Sequence, residues 1–146
     1  MLQFTASWCG VCRKEMPFIE KDIWQKHKDN QNFALYGVDR DEPLETVLGF
    51  AEKTGVTYPL ALDPGADHFA KYAERKAGIT RNVLIDKEGK IVMLTRLYNE
   101  EEFASLCKKI DEMLAEYIHD DEETTHRSPF AHRYFIPRFG AKENVW

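Results

Sequence analysis

The sequence predicts an α/β sandwich, a three-layer arrangement in which a mixed sheet is covered by helices on both faces. Three observations carry this expectation. Apolar, strand-like runs alternate with segments of helical spacing through the first half of the chain. Two apolar runs then flank Asp86-Lys87-Glu88-Gly89 and read as an antiparallel hairpin, and a long amphipathic helix follows. At 146 residues the chain fits one domain with a core that needs no disulfide or metal staple. A net charge of -5 argues against nucleic acid as a partner, and no stretch is apolar enough to span a membrane.

Taken in order, Leu2 to Thr5 reads as the end of a buried strand, and Ser7-Trp8 as the turn after it. From Gly10 to about Lys28, Val11, Met16, Ile19, Ile23 and Trp24 recur near helical spacing. Pro17 lies inside that helix and predicts either a kink or a restart there. Phe33 to Val38 reads as a second strand, and Asp39 to Glu42 as a solvated acidic exit loop. Pro43 suits the first turn of a helix running to about Lys53 and closed by Gly55. Tyr58 to Leu62 is a short strand ended by the turn Asp63-Pro64-Gly65, and Ala66 to Lys76 has helical spacing ended by Gly78. The hairpin pairs Asn82 to Ile85 with Lys90 to Leu94, with Gly89 at the left-handed turn position. Asn99 to about Ile118 carries a continuous apolar face through Phe103, Leu106, Cys107, Ile110, Met113, Leu114 and Tyr117. The domain is therefore placed at residues 1–118, and residues 119–146 are read as a tail, disordered or clasped to the surface through its aromatics.

The chemistry concentrates at Trp8-Cys9-Gly10-Val11-Cys12. Two thiols at this spacing, at a strand-to-helix junction, form a redox device: the helix N-terminus favours the thiolate of Cys9, which attacks a disulfide, and Cys12, one turn on, resolves the mixed disulfide. A structural zinc site would need four ligands, and neither a second CxxC pair nor a histidine pair at ligand spacing exists, so no metal is expected. Cys107 falls on an apolar stripe and reads as a small hydrophobe, and the histidines at 27, 68, 119, 126 and 132 are scattered surface residues.

The segment Phe4-Thr5-Ala6-Ser7-Trp8-Cys9-Gly10-Val11-Cys12-Arg13-Lys14-Glu15-Met16-Pro17 resembles the active-site segment of thioredoxin-like proteins, in particular envelope thiol-disulfide oxidoreductases of the TlpA and ResA type. Gly78 to Gly89 resembles the family's second landmark, the loop and hairpin facing the cysteines, and the helix and strand between Pro43 and Leu62 match the insertion of this branch. The resemblance implies a thioredoxin-like fold over roughly Leu2 to Tyr117 and a reductant or isomerase of protein disulfides. Catalysis would rest on Cys9 and Cys12, and substrate binding on Trp8, Ile79 and Thr80. It also implies no organic cofactor, an upstream redox partner, and a periplasmic or cell-envelope location. The sequence departs from the family in two places. Thr80 stands where the family has a cis-proline, so a trans Ile79-Thr80 bond is expected. The first strand has only about four residues before its turn, so the domain reads as N-terminally truncated, with any export signal upstream. The family often carries a buried acid below the cysteines; Asp39, Asp41 and Glu42 lie near that region. Two other readings compete. A peroxiredoxin-like peroxidase would need a threonine where Ala6 stands, and a non-catalytic binding domain would keep the fold without turnover.

Overall fold

A computed structural model describes residues 1–124. The chain runs β1 (Leu2–Thr5), α1 (Gly10–Ile19), a π-helical turn (Glu20–Trp24), α2 (Gln25–His27), β2 (Tyr36–Arg40), α3 (Leu44–Thr54), β3 (Leu60–Asp63), β4 (Arg81–Ile85), β5 (Ile91–Arg96) and α4 (Glu100–Thr124). The strands form one sheet in the order β3-β2-β1-β4-β5. Strands β1, β2 and β3 are parallel neighbours, whereas β4 runs antiparallel to both β1 and β5. This is the mixed-sheet sandwich expected, with β1 central and its C-terminal end feeding the cysteine segment.

Alternation along the strands divides the core between the two faces of the sheet. Leu60 and Leu84 join Met16, Ile19, Val47, Phe50 and Ile110 in one cluster. The crossovers β1-α1-β2 and β2-α3-β3 step across the sheet in the same direction, so right-handed connections lay α1 and α3 on one side. On the other face Phe4, Val38 and Val83 pack with Phe69, Ile79 and the two cysteines. Phe69 meets Phe4 edge-on with ring centroids 5.4 Å apart.

Four elements differ from the sequence expectation. Pro17 sits inside α1 without ending it, and the helix loosens downstream, in the π-helical turn at Glu20–Trp24. Strand β2 starts later than predicted and absorbs Asp39 and Arg40, because their backbones pair with Leu62 and Asp63 of β3. The helix predicted over residues 66–76 is replaced by two 3-10 turns, Pro64–Ala66 and Phe69–Lys71. The Asp63 carboxylate accepts the His68 and Phe69 N–H groups at 2.9 Å each, capping a short turn, and Ala66 holds a left-handed φ of 58° that a continuous helix excludes. Helix α4 runs to Thr124, beyond its expected end near Ile118, and the rest of the expected tail, residues 125–146, lies outside the described residues. The hairpin forms as predicted, with Gly89 at φ 81°. Among the described residues, no helix is long and apolar enough to cross a membrane.

Gly37 of β2 is where the sheet meets the fully buried Tyr58 and Leu60, and a methyl group built on it would collide with the Leu60 side chain. Gly37→Ala is therefore expected to destabilise the domain by about 1–3 kcal/mol, read from the urea midpoint at unchanged m-value. An unchanged midpoint would show that Leu60 yields without cost.

Candidate active site

Strand β1 ends at Thr5, and the chain turns through Ala6-Ser7-Trp8 so that Cys9 caps α1. Glu42, just beyond β2, clamps this turn: its carboxylate accepts the Ser7 N–H at 2.6 Å and the Ser7 hydroxyl at 2.5 Å. Charge-assisted bonds of this kind are among the stronger ones in proteins. The Cys9 sulfur accepts the Cys12 N–H at 3.1 Å, so the sulfur occupies the position of a helix-capping oxygen. Positive helix-end potential and a backbone donor thus meet at this atom. Cys9 and Cys12 form a disulfide with Cα atoms 5.3 Å apart. Cys9 keeps 6% of its surface open and Cys12 none, so Cys9 is the more accessible of the two.

Thr80 enters from the β4 side. Its hydroxyl lies 3.2 Å from the Cys9 sulfur and 3.3 Å from that of Cys12, touching both members of the pair. The Ile79-Thr80 bond is trans, and the Thr80 carbonyl accepts the Leu97 N–H at 3.0 Å, which ties the loop to the edge of the hairpin. The sequence-predicted residues Cys9, Cys12 and Thr80 therefore converge. Trp8 stands beside them, 59% exposed. Ile79 differs: its side chain is buried in the cluster beneath the cysteines, so it shapes the floor of the site.

Two acids lie within the fold near the pair. Asp39 belongs to β2 and is completely buried, which corrects its placement in a solvated loop. Burial, with the neighbouring Glu42 carboxylate adding to it, pushes its pKa up to about 8. The other, Glu15, carried no individual role in the sequence reading. It lies one turn after Cys12 on the buried side of α1 and accepts a hydrogen bond from Asn82 Nδ2 at 2.6 Å. Asn82 Nδ2 also donates to Thr95 at 3.0 Å, so Glu15 is held by the hairpin. Burial raises the Glu15 pKa to about 7; the Asn82 bond opposes the rise and Glu102 adds to it. Its i+3 spacing from Cys12 on an amphipathic helix was the signal that could have found it. Cys107, partly buried on α4, has its thiol pushed up to about 11, chiefly by burial, which keeps it protonated and unreactive.

The sheet order, the capped cysteine pair and the opposing loop define a class, the thioredoxin-fold domains with a CxxC dithiol. The chain belongs to the Redoxin family, which matches residues 1–110. It is 30% identical over 110 residues to the thiol-disulfide oxidoreductase ResA of Bacillus thuringiensis (strain Al Hakam), covering 75% of this chain and 61% of that relative. ResA of Geobacillus thermodenitrificans (strain NG80-2) is 34% identical over 92 residues, which cover 62% of this chain and 49% of the relative. The chain thus spans about three fifths or less of these curated relatives. Among solved structures, a Bacteroides thetaiotaomicron protein provisionally described as a protein disulfide isomerase is 80% identical, with a TM-score of 0.77 over 82% of this chain and 76% of that one. A Chlorobium tepidum protein provisionally described as thiol:disulfide interchange protein DsbE is 26% identical, with a TM-score of 0.67 over 77% of each chain.

Glu15 and Asp39 bind protons more tightly in the folded than in the unfolded chain, so each favours folding at low pH and loses that contribution as pH rises. The window runs from 4.5 to about 7 for Glu15 and from 3.8 to about 8 for Asp39. Urea unfolding of oxidised Glu15→Gln and Asp39→Asn should show each variant gaining stability relative to wild type across its window, by up to about 1.4 kcal/mol per pH unit. Curves parallel to wild type would refute the buried, protonated state of the replaced acid.

Proposed function

We propose that this domain is a thiol-disulfide oxidoreductase that reduces or isomerises protein disulfides through Cys9 and Cys12. The observation that carries the reading is the Cys9 sulfur at the cap of α1, within reach of the Cys12 N–H and the Thr80 hydroxyl. In the reduced protein the Cys9 thiolate attacks one sulfur of a substrate disulfide, forming a mixed disulfide and releasing the other sulfur as a thiolate that takes up a proton. Cys12, deprotonated, then attacks the Cys9 sulfur and frees the second substrate sulfur as a thiol. Two electrons have passed to the substrate, and the Cys9–Cys12 disulfide seen here is the product state. An upstream dithiol partner returns the electrons.

Each surrounding group has a task in this cycle. Thr80 donates its hydroxyl to whichever sulfur carries the negative charge. Glu15, on the same buried helix face as Cys12 with Cβ atoms about 5–6 Å apart at that spacing, takes the Cys12 proton. Trp8 forms the exposed lip against which the substrate chain lies. No charged residue separates the cysteines, which favours a reductant over a strong oxidant. The likeness to ResA supports a location in the periplasm or cell envelope.

Insulin reduction by the dithiothreitol-reduced protein tests the activity. Cys9→Ser should abolish it, and Cys12→Ser should accumulate a mixed disulfide with substrate. A titratable dithiol that leaves insulin intact would instead mark a binding domain, and rapid peroxide consumption a peroxidase. The reduction potential should fall near about -270 mV, with a value near about -120 mV contradicting the reductant assignment.

Thr80→Val removes the shared hydroxyl while keeping its volume. Iodoacetamide alkylation of Cys9 at neutral pH should slow by about threefold to tenfold, since a hydrogen bond to a charged group contributes roughly 1.5–3 kcal/mol and water replaces part of it. An unchanged rate would remove Thr80 from the chemistry.

A further inference from the structure

We infer that the end of the sheet beside the cysteine pair is a docking surface for an acidic segment of the substrate polypeptide. The proposal rests on the reading of this domain as a disulfide reductant and adds the chemistry by which it selects substrates. Its basis is the placement of guanidiniums that form no direct ion pair with a carboxylate among the described residues.

Arg40, Arg81 and Arg96 stand on β2, β4 and β5 at the end of the sheet where β1 delivers Cys9. Arg81 is paired in register with Phe4 of β1 on one side and with Arg96 of β5 on the other. Alternation puts Arg40 on the face of Val38 and Arg81 on the face of Val83, the face that also carries Phe69 and the cysteine cluster. Arg96, directly opposite Arg81, shares that face. The rings between them confirm the convergence: the Arg40 guanidinium lies 4.7 Å from the Phe69 centroid and 5.4 Å from that of Trp8, and Arg81 lies 5.9 Å from Phe69. The basic row therefore reaches the residue next to Cys9. Arg96 Nη2 lies beside Gly78, in the loop that leads to Thr80, and the Arg13 guanidinium folds over Gly10 between the cysteines.

These charges are not spent on structure. Among the described residues no carboxylate forms an ion pair with Arg13, Arg40, Arg81 or Arg96. The Arg40 guanidinium donates to the Ala77 and Arg75 carbonyls, and Arg81 Nε to that of Gly78, which fixes their heads without cancelling charge. The nearby acids direct their hydrogen bonds elsewhere, although Asp41 and Asp63 still act on Arg40 through space. Asp63 receives two backbone N–H groups, Asp41 receives the Gly65 N–H, Asp67 pairs with Arg75, and Glu42 holds Ser7. Burial and the neighbouring Arg81 lower the Arg40 pKa while Asp41 and Asp63 oppose the shift, so the like charge beside it is only partly offset. In a chain of net charge -5, a cationic rim beside the cysteine pair is a local reversal of sign. Planar guanidiniums backed by aromatic rings suit carboxylate forks, and a row crossing several strands suits an extended chain carrying more than one Glu or Asp.

The test uses model peptides with one intramolecular disulfide, identical except that glutamates or lysines flank the cysteines, and follows their reduction by the full chain. At low ionic strength kcat/KM should favour the glutamate peptide by about tenfold or more, and the ratio should shrink toward unity as salt is raised. Arg81→Gln and the exposed Arg96→Gln should each reduce the ratio, the pair together removing most of it, while Lys108→Gln on α4 should leave it intact. Equal rates for the two peptides, or a preference that survives Arg81→Gln/Arg96→Gln, would overturn the proposal. So would a preference shown for glutathione disulfide but not for the acidic peptide. A cysteine-free glutamate peptide titrated against tryptophan fluorescence reads docking without turnover: salt-sensitive saturation supports the surface, and its absence removes it. Reduction of dithiodipyridine, which carries no carboxylate, tests the dithiol chemistry alone, so failure of the oxidoreductase reading is told apart from failure of the docking surface.

Discussion

The Thr80 hydroxyl, in contact with the sulfurs of both Cys9 and Cys12, is the contact on which the site depends, because it joins the two halves of the fold at one atom. Cys9 and Cys12 belong to the β1-α1 unit, and Thr80 to the loop before β4. The contact exists only because β4 pairs with β1 in the register that sets Phe4 opposite Arg81. A threonine at this position keeps the backbone trans and supplies a rotating hydroxyl, which can serve as donor to a thiolate on either sulfur. The site thus has an adaptable polar contact where its relatives by resemblance place a rigid ring.

Beneath the pair, polar groups are buried to a degree that ordinary core packing avoids. Glu15, Asn82 and Thr95 form a bonded chain across α1, β4 and β5, and Tyr58 donates its hydroxyl to Gln3 Oε1 at 2.7 Å on the adjoining strand. Burial makes Glu15 and Asp39 reluctant to ionise: Asp39 mostly holds its proton at neutrality, while Glu15 is poised there to take or give one. A dithiol that exchanges protons as it exchanges electrons gains from such acids, and the fold bears their desolvation as a loss of stability at higher pH.

Around the pair the balance reverses. The outer rim carries guanidiniums on aromatic supports with no direct ion pair among the described residues, while the acids near it cap turns and clamp Ser7. Three layers therefore meet at one sheet end: sulfurs and hydroxyl in the middle, buried carboxyls below, cations outside.

The architecture and the chemistry of the reactive pair are legible in the order of the amino acids. Periodicity, the Gly89 turn and a CxxC at a strand-to-helix junction are local features, and local spacing is enough to read them. The exceptions were places where local and distant forces disagree. Spacing over residues 66–76 suited a helix, but the Asp63 carboxylate and the left-handed Ala66 stopped it. Asp39 looked like an exposed loop acid until pairing with β3 drew it into the sheet. The family resemblance set Thr80 opposite the cysteines, but its contact with both sulfurs, 71 and 68 positions away, the Glu15–Asn82 bond and the gathering of arginines from separate strands on one face emerge only in the folded chain. Burial and charge proximity are properties of strand register, which pairs residues far apart in the chain and leaves no mark on the spacing of either.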